Sequence, residues 1–513
     1  MKLIYDVETK PREMGIGNMI VFAIQQLLAI MAATLVVPVI VGHGMSPAAA
    51  LFGAGVGTLT YIFFTRRKSP VFLGSSFAFL GSMAAAFAGG VSMSLGYLGL
   101  ILGAFFAGIV YVIIAMIVKF CGVAWISKLM PPVVIGPTVT IIGLSLAGNA
   151  IGDLQKGGYN QYVYEWVMGA NGPTIGIGSY PTAAPLVCVL IGLITLAVTT
   201  LCSVYAKKKM IRLIPFIMGI LSGYAVACLF TVVGILTETD ALRVIDFGHF
   251  QNLLVEGKVA LTTFVDLPDF TFLTAFKGDY DPGQYGSIAQ YILTILVAYC
   301  PVAFVVFAEH IADHKNLSTI IGRDLLEEPG LSNTLLGDGV GSMVGAFFGG
   351  CPNTTYGESV GCVAITGNAS VWSIMTAAIG AILISFFSPF AAFVNSIPPC
   401  VMGGVCMALY GFIAVSGLKM LKNVDLEKNY NLFTVSVILI AGVGGLTLSF
   451  GKVTITAIAC ALILGILTHL LLTQPGNNDD TEAEAECACD GACEACADEA
   501  ETPAEAEAPV CEE

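Results

Sequence analysis

Long runs of apolar residues alternate with short polar segments along almost the entire chain. Fourteen runs are long enough to cross a bilayer as helices, at roughly 20 residues a crossing. They cover approximately 17–41, 46–64, 70–89, 95–118, 131–149, 184–205, 213–235, 290–312, 331–349, 352–368, 371–394, 397–417, 430–449 and 453–473. The third and tenth runs are short and rich in Gly, Ser, Thr and Asn, so they are poorly suited to face lipid. The pattern predicts an all-α polytopic membrane protein.

Composition agrees with the pattern and removes several classes of protein. Of the 513 residues, 56% are apolar and 11% are charged, whereas soluble domains carry about 25% charge. This excludes an ordinary cytosolic enzyme, a disordered protein and a nucleic-acid binder. The first apolar run follows a polar start and is too long for a cleavable signal peptide.

The net charge of −14 comes from the C-terminal tail. Residues 479–513 hold fourteen acids and no Lys or Arg, which leaves 22 acids against 22 bases elsewhere. A segment of this composition is expected to be disordered. It also holds Cys487, Cys489, Cys493, Cys496 and Cys511. Their spacing is not a standard zinc pattern, although thiolates can bind a soft metal; we therefore assign no metal or cofactor.

The distribution of basic residues predicts the orientation in the cell membrane. With the N-terminus in the cytoplasm, seventeen bases fall on the cytoplasmic side and five outside, as the positive-inside rule requires. Both termini are then cytoplasmic. The predicted parts are a cytoplasmic N-terminus (1–16), a first seven-segment unit (17–235), an extracytoplasmic loop (236–289), a second seven-segment unit (290–473) and the acidic tail (474–513).

Two pairs of echoed sequences indicate an internal repeat. Met-Pro-Pro-Val-Val-Ile-Gly at 130–136 resembles Ile-Pro-Pro-Cys-Val-Met-Gly at 397–403, and Gly-Ser-Ser-Phe at 74–77 resembles Asn-Thr-Thr-Tyr at 353–356. Each pair is seven predicted spans apart. Because seven is odd, the two units enter the membrane from opposite sides, which is the inverted repeat of many secondary transporters. Short, Gly-interrupted segments at matching places mark the binding site in such proteins.

Several ionisable residues lie within or beside the predicted spans. Glu309 and Asp313 are four residues apart and share a helix face, and Glu358 has apolar or small neighbours on both sides. A carboxylate at mid-membrane costs about 2.5–3.5 kcal/mol on insertion scales and usually serves a function, such as taking up a proton. Alternatively, Glu309 caps the cytoplasmic end of its helix and Glu358 makes a structural hydrogen bond. We interpret Asp338 as structural, and His310 and His314 as interfacial or packing residues.

Three strings together resemble the nucleobase–ascorbate transporter family, and within it the bacterial uracil permeases. They are Phe-Leu-Gly-Ser-Ser-Phe-Ala-Phe (72–79), Ala-Glu-His (308–310) and Pro-Asn-Thr-Thr-Tyr-Gly-Glu (352–358). The resemblance runs in order from about residue 15 to 473. It implies fourteen segments as a 7+7 inverted repeat, a core and a gate domain, and short antiparallel strands in segments 3 and 10. It also implies uracil uptake by proton symport.

The resemblance also implies roles for individual residues. Glu309 and Glu358 match the carboxyl groups that hydrogen-bond the base, and Phe77 and Gly357 match backbone amides that contact its carbonyl groups. Residues near the ring match Ala33, Tyr356 and Tyr410. Glu309, Asp313 and Ser76 match the proton-coupling positions. The sequence departs from the family at Asp313, where one relative has a histidine that bonds the serine matching Ser76; at Gln26, usually histidine; and at Ser359, usually asparagine.

Other functions remain open at this stage. A xanthine or other purine permease of the same fold, an anion carrier and a channel would share the hydropathy pattern. An intramembrane aspartyl protease would need a Gly-x-Gly-Asp string, whereas the chain has Leu-Leu-Gly-Asp at 335–338, so we do not predict an enzyme. The small-residue face from Gly53 to Gly57 permits close helix packing, either within the chain or in a homodimer.

Overall fold

The computed structural model describes residues 3–169, 172–208, 211–212, 214–254, 258–422, 424–450 and 453–473. The helices, numbered in chain order, are α1 (Pro11–Met14), α2 (Ile16–Val41), α3 (Pro47–Phe64), α4 (Leu80–Ala86), α5 (Met93–Cys121), α6 (Ala124–Leu129), α7 (Pro132–Ser145), α8 (Ala147–Leu154), α9 (Pro185–Tyr205), α10 (Pro215–Leu236), α11 (Gly248–Gln251), α12 (Thr271–Ala275), α13 (Ile288–Ile321), α14 (Leu331–Gly349), α15 (Gly357–Thr366), α16 (Val371–Ser385), α17 (Ser388–Ser396), α18 (Pro399–Met420), α19 (Asn429–Val443) and α20 (Ala457–Leu472). The strands are β1 (Leu73–Ser75), β2 (Asn160–Gly169), β3 (Gly172–Pro181), β4 (Asn353–Thr355), β5 (Leu448–Phe450) and β6 (Val453–Ile455). The predicted acidic tail lies outside the described residues.

Apolar helices dominate, as the hydropathy pattern predicts. Among the described residues, eight helical stretches are long and apolar enough to cross a membrane, and four shorter apolar helices accompany them. Some predicted spans differ in detail. The run 371–394 is two helices, α16 and α17, because Pro389 lies in the first turn of α17, where its missing N–H costs no helical hydrogen bond.

Two hairpins make the all-α prediction too simple. Strands β2 and β3 pair in antiparallel register from Asn160 with Pro181 to Gly169 with Gly172, inside a segment expected to be a loop. Strands β5 and β6 pair from Leu448 with Ile455 to Phe450 with Val453, where the predicted spans 430–449 and 453–473 meet. Hydropathy windows average over the three-residue strands β5 and β6, so these strands merge with the neighbouring predicted spans.

The helices pack in two groups. In the first group, α14 packs against α3 and α5, α16 against α2 and α3, and α13 against α5. In the second group, α18 packs against α7, α8 and α9, α19 against α7 and α20, and α10 against α9. Contacts of α13 with α7 and α20, and of α2 with α10 and α18, join the two groups.

Glycine allows the backbones of α3 and α14 to approach closely. A Cβ atom on Gly53 would lie 2.4 Å from the carbonyl oxygen of Gly345, well inside van der Waals contact. The predicted small-residue face on α3 is therefore used, at least in part, within the chain, where small residues replace large side chains at a helix crossing.

The echoed sequences occupy equivalent local structures. Pro131 caps the N-terminus of α7 and Pro132 is its first residue, just as Pro398 caps α18 and Pro399 begins it. Proline is favoured in the first helical turn because no intrahelical donor is lost there. The second echo forms β1 and β4, which pair with each other.

Candidate substrate-binding site

Two interrupted segments meet inside the first helix group as an antiparallel strand pair. Leu73 pairs with Thr355, Gly74 with Thr354 and Ser75 with Asn353. Main-chain hydrogen bonds extend the ladder at both ends: Ser76 N donates to Pro352 O at 2.9 Å, and Tyr356 N to Phe72 O at 3.3 Å. The strands are fully buried. Non-helical backbone at such depth is tolerated when protein groups pair it.

Side chains from the surrounding helices fix this strand pair. Thr58 Oγ1 accepts from Leu73 N at 2.9 Å and donates to Leu73 O at 3.2 Å. Asn353 Nδ2 donates to Gly53 O at 3.1 Å. These bonds attach both strands to α3, so β1 and β4 are held as one unit.

A helical turn begins directly after each strand. The 3-10 turn Phe77–Phe79 follows β1 and continues into α4, and α15 begins at Gly357 after β4. The first N–H groups of a helix have no intrahelical acceptor and carry partial positive charge. Both strand ends can therefore present backbone donors to a ligand. Gly357 is exposed although the residues around it are buried, which places it on the wall of an open space.

Tyr356 locks the strand pair from the side. Its hydroxyl donates to Ser75 O at 2.7 Å and accepts from Thr34 Oγ1 at 3.4 Å. Its ring covers Gly74, where a Cβ atom would lie 2.3 Å from two ring carbons. The side chain is only 4% exposed, so Tyr356 contributes mainly to the shape of the site.

Three carboxyl groups converge beside the strand ends. Glu309 and Asp313 are half-buried on α13, and Glu358 is half-buried in the first turn of α15. Glu309 and Asp313 each interact electrostatically with Glu358. Glu309 lies twelve residues before the end of α13 at Ile321, so the alternative that it caps this helix is wrong.

Asp313 connects α13 to the second strand. Its Oδ2 accepts a hydrogen bond from Thr355 Oγ1 at 2.9 Å, and its Oδ1 lies 3.7 Å from where a Cβ atom on Gly357 would stand. The residue expected to act with Asp313 was Ser76. The Ser76 hydroxyl is buried without a hydrogen-bond partner among the described residues, so Thr355 takes the position that the resemblance suggested for Ser76.

The remaining predicted ring neighbours lie around the same strands. The rings of Phe77 and Tyr410 meet edge to face with their centroids 5.8 Å apart, and Tyr410 comes from α18 in the second helix group. Ala33 is 1% exposed on α2 and precedes Thr34, which contacts Tyr356. The site is therefore bounded by both helix groups.

The two other departures from the family contact each other. The Gln26 side-chain amide donates to Ser359 Oγ, and Ser359 Oγ also accepts from Phe72 N at 3.0 Å. This pair holds the residue before β1. Sequence reasoning singled out both positions but not their contact, because they are 333 residues apart.

The sequence also left important supporting residues unassigned. Thr34, Thr58 and Asn353 hold the strands, and Thr355 donates to Asp313. The one feature of the sequence that could have identified these residues is a hydroxyl or amide side chain inside an apolar run. His310 and His314 are both 0% exposed, which agrees with the interpretation of them as packing residues and not with the interfacial alternative.

Comparison with known proteins identifies the family. The family described as "Permease family" matches residues 17–450. The chain belongs to this permease family. A uracil permease of Bacillus caldolyticus is 37% identical over 485 residues, covering 94% of this chain and 97% of the relative. Uracil permeases of Bacillus subtilis (strain 168) and Escherichia coli (strain K12) are 36% and 35% identical, over 88% of this chain and 92% and 90% of the relatives.

Solved structures show which fold the permease has. The transmembrane domain of the cyanobacterial bicarbonate transporter BicA matches with a TM-score of 0.55 at 14% identity, over 90% of the permease and 99% of that chain. The murine anion transporter Slc26a9 in its inward-facing state matches with a TM-score of 0.54 at 12% identity, over 88% of the permease and 68% of that chain. The permease is thus a multi-pass membrane protein with the fold of these transporters.

Proposed function

We propose that the permease takes up uracil across the cell membrane by proton symport, with alternating access to a site at the β1–β4 strand pair. Two relatives with 35–36% identity and one with 37% are uracil permeases, which supports the substrate. Glu309 and Glu358 would accept hydrogen bonds from the base, and Phe77 and Gly357 would donate from their backbone amides.

The chemistry of uracil fits the groups at this site. Its ring N–H groups need acceptors, which carboxyl groups supply, and its carbonyl oxygens need donors, which the amides after each strand supply. Leaving a buried polar group without a partner costs about 1–3 kcal/mol. A site that pairs every edge of one base therefore discriminates against bases with another pattern.

One observation supports the proposal most directly. Three carboxyl groups from α13 and α15 lie where the two buried strands end, and the hydrogen bond from Thr355 to Asp313 connects strand β4 to α13. A cluster of acids in a membrane protein seldom exists without a function. Carboxyl groups that interact electrostatically disfavour joint ionisation, so the cluster is suited to take up a proton. We assign the coupled proton to Glu309, with Asp313 as its neighbour; the hydroxyl bonded to Asp313 is that of Thr355.

The architecture supports alternating access. We propose fourteen segments in a 7+7 inverted repeat, with the first helix group as the core domain and the second as the gate. The matching Pro-Pro helix starts and the pairing of β1 with β4 support this arrangement. Arg323 pairs with Asp6 and Glu8, and Lys68 with Glu328, so the N-terminus lies at the same end as the α3–β1 and α13–α14 connections. We propose that this end is cytoplasmic.

Uptake by reconstituted vesicles tests the function. With an imposed pH gradient, acid outside, we expect saturable uptake of labelled uracil that a proton ionophore stops. Unlabelled thymine is expected to compete more weakly than uracil because of its additional methyl group, and xanthine least because of its fused imidazole ring, since the three bases share the same N–H and C=O pattern on the six-membered ring.

The alternatives predict different results in the same vesicles. Stronger competition by xanthine than by uracil would make the protein a purine permease. Uptake that neither saturates nor shows counterflow would indicate a channel. An anion carrier is disfavoured because an anion would meet three carboxyl groups; bicarbonate uptake without uracil uptake would contradict the proposal.

Gly74→Ala should reduce uracil uptake about tenfold or more, because its Cβ would displace the Tyr356 ring and overpacking costs about 1–3 kcal/mol. The Tyr356–Ser75 bond would be lost with it. Initial uptake rates at equal expression measure the effect. Gly361→Ala is the matched control, since nothing lies within 4 Å of its Cβ position; equal rates for the two variants would contradict the role of Tyr356.

A further inference from the structure

A second polar cluster lies in the first helix group and takes no part in the proposed substrate contacts. His310 and Asp338 are 0% and 1% exposed. His310 Nδ1 is 2.8 Å from Asp338 Oδ2, and His310 Nε2 is 3.0 Å from Thr334 Oγ1. Both partners of His310 belong to α14, so the imidazole connects α13 to α14 through both of its nitrogens.

The contacts of His310 allow two arrangements of hydrogen atoms. If the Thr334 hydroxyl donates to His310 Nε2, the hydrogen on Nδ1 bonds an ionised Asp338 and the pair carries one negative charge. If Thr334 donates to Leu331 O, 3.0 Å away, and accepts from His310 Nε2, the 2.8 Å contact between His310 Nδ1 and Asp338 Oδ2 needs one more hydrogen. It sits either on Nδ1, giving an imidazolium and a carboxylate, or on Oδ2, giving a neutral imidazole and a carboxylic acid.

The charge balance decides between these two arrangements. Without that hydrogen the pair would carry one negative charge, and the salt bridges among the described residues offer Asp338 no Lys or Arg. The other carboxyl oxygen, Oδ1, has no hydrogen-bond partner in the described part of the chain. A buried charge without a counter-charge is strongly unfavourable. The His310–Asp338 pair is therefore uncharged only when it binds one proton more than an ionised Asp338 beside a neutral imidazole.

The titratable groups described around the pair include two further acids and no Lys or Arg. Glu309 and Asp313 lie on the same helix as His310 and interact electrostatically with Asp338. From α5, Tyr111 meets the His310 ring edge to face at 6.4 Å. His314 stacks on His310 at 4.0 Å, and Tyr61 of α3 bonds His314 Nε2 at 2.7 Å. His314 is 0% exposed and has no carboxylate partner among the described hydrogen bonds, so burial favours its neutral form. Its Nδ1 then donates to His310 O and its Nε2 accepts from Tyr61, whose oxygen can accept from Ser69 Oγ, 2.7 Å away.

The pair also controls how α13 faces the substrate. His310 is adjacent to Glu309 and three residues from Asp313. Its ring contacts α14, whereas those two acids are half-buried. Holding both imidazole nitrogens fixes the rotation of this turn of α13. We propose that Asp338 and His310 bind one proton that stays in the core domain during transport and positions Glu309 and Asp313, distinct from the proton that moves with the substrate.

Nitrogen NMR on purified full-length protein with labelled histidine tests the bound proton. The chain has five histidines, and His310→Gln identifies the relevant signals. We expect His310 Nε2 to carry a hydrogen at all pH values at which the protein is folded, and added uracil to leave both nitrogen signals in place. An Nε2 without a hydrogen, or His310 nitrogen signals that show a change of protonation when uracil binds, would overturn the proposal.

Uracil affinity tests the positioning role, which rests on the proposed function. In Asp338→Asn the amide N–H replaces the bound proton and can donate to His310 Nδ1, so affinity should stay within about threefold of wild type. Asp338→Ala leaves Nδ1 without a donor and should weaken binding about tenfold or more. Equal affinities for the two variants would overturn positioning. If wild-type protein bound no uracil, the proposed function would fail, while the NMR result would still show whether the His310–Asp338 pair holds its proton.

Discussion

Replacing Glu309 with glutamine is expected to abolish the accumulation of uracil against its gradient while leaving uracil binding largely intact. Glutamine keeps a carbonyl acceptor for the base but cannot gain or lose a proton. A pH difference of about one unit provides about 1.36 kcal/mol per proton, enough for about tenfold accumulation by a one-proton symporter. In vesicles with this gradient, wild type should concentrate uracil about tenfold, whereas Glu309→Gln should only equilibrate it.

Glu327→Gln is the matched control for this experiment. Glu327 is an exposed glutamate in the connection between α13 and α14, so the same change there should leave accumulation intact. Concentrative uptake by Glu309→Gln at the wild-type level would remove Glu309 from the coupling role. Counterflow of labelled against unlabelled uracil should persist in the variant, since exchange needs binding and movement but no net proton transfer.

Glu358→Ala is expected to weaken uracil binding about ten- to a hundredfold, because a hydrogen bond to a charged group contributes about 1.5–3 kcal/mol. The residue lies in the first turn of α15, directly after the exposed Gly357. Its removal would leave a buried N–H of the base without an acceptor. Inhibition of labelled uracil uptake by unlabelled uracil gives the apparent affinity.

Glu358→Gln provides the graded comparison. It retains one acceptor oxygen and adds an N–H group, so uracil should bind with intermediate affinity and the order of competing bases should change. Glu427→Ala, at an exposed glutamate between α18 and α19, controls for loss of a carboxylate as such. An unchanged order of competition in both Glu358 variants would place this residue outside the substrate contacts.

The hydropathy pattern anticipated the helices well because transfer into lipid acts on whole segments. Helices α2, α3, α9 and α10 begin and end within a few residues of the predicted spans. The hairpin β5–β6 was missed because three residues of extended backbone in each strand change the average hydropathy little, and β2–β3 was missed because it lies between the predicted spans, in a segment that the search for membrane helices does not assign. The acids Glu309, Asp313 and Glu358 stood out for the opposite reason: a single charged residue inside a long apolar run is conspicuous.

Contacts between distant residues could not be obtained in this way. The Asp313–Thr355, Gln26–Ser359 and His310–Asp338 pairs are separated by 42, 333 and 28 residues. Each member is polar within an apolar segment, but many such residues exist and the chain does not say which of them meet. For the same reason the sequence did not indicate that the hydroxyl bonded to Asp313 is that of Thr355.

By itself, the sequence determined that this chain is a multi-pass membrane protein of the permease family, because segment hydropathy and local strings such as Asn-Thr-Thr-Tyr-Gly-Glu are carried by consecutive residues. Only the tertiary structure decided which partner each acid contacts: Thr355 for Asp313, and His310 for Asp338. The physical reason is that a polar group removed from water must find its partner in space, and helix packing brings residues that are distant in the sequence to the same hydrogen bond.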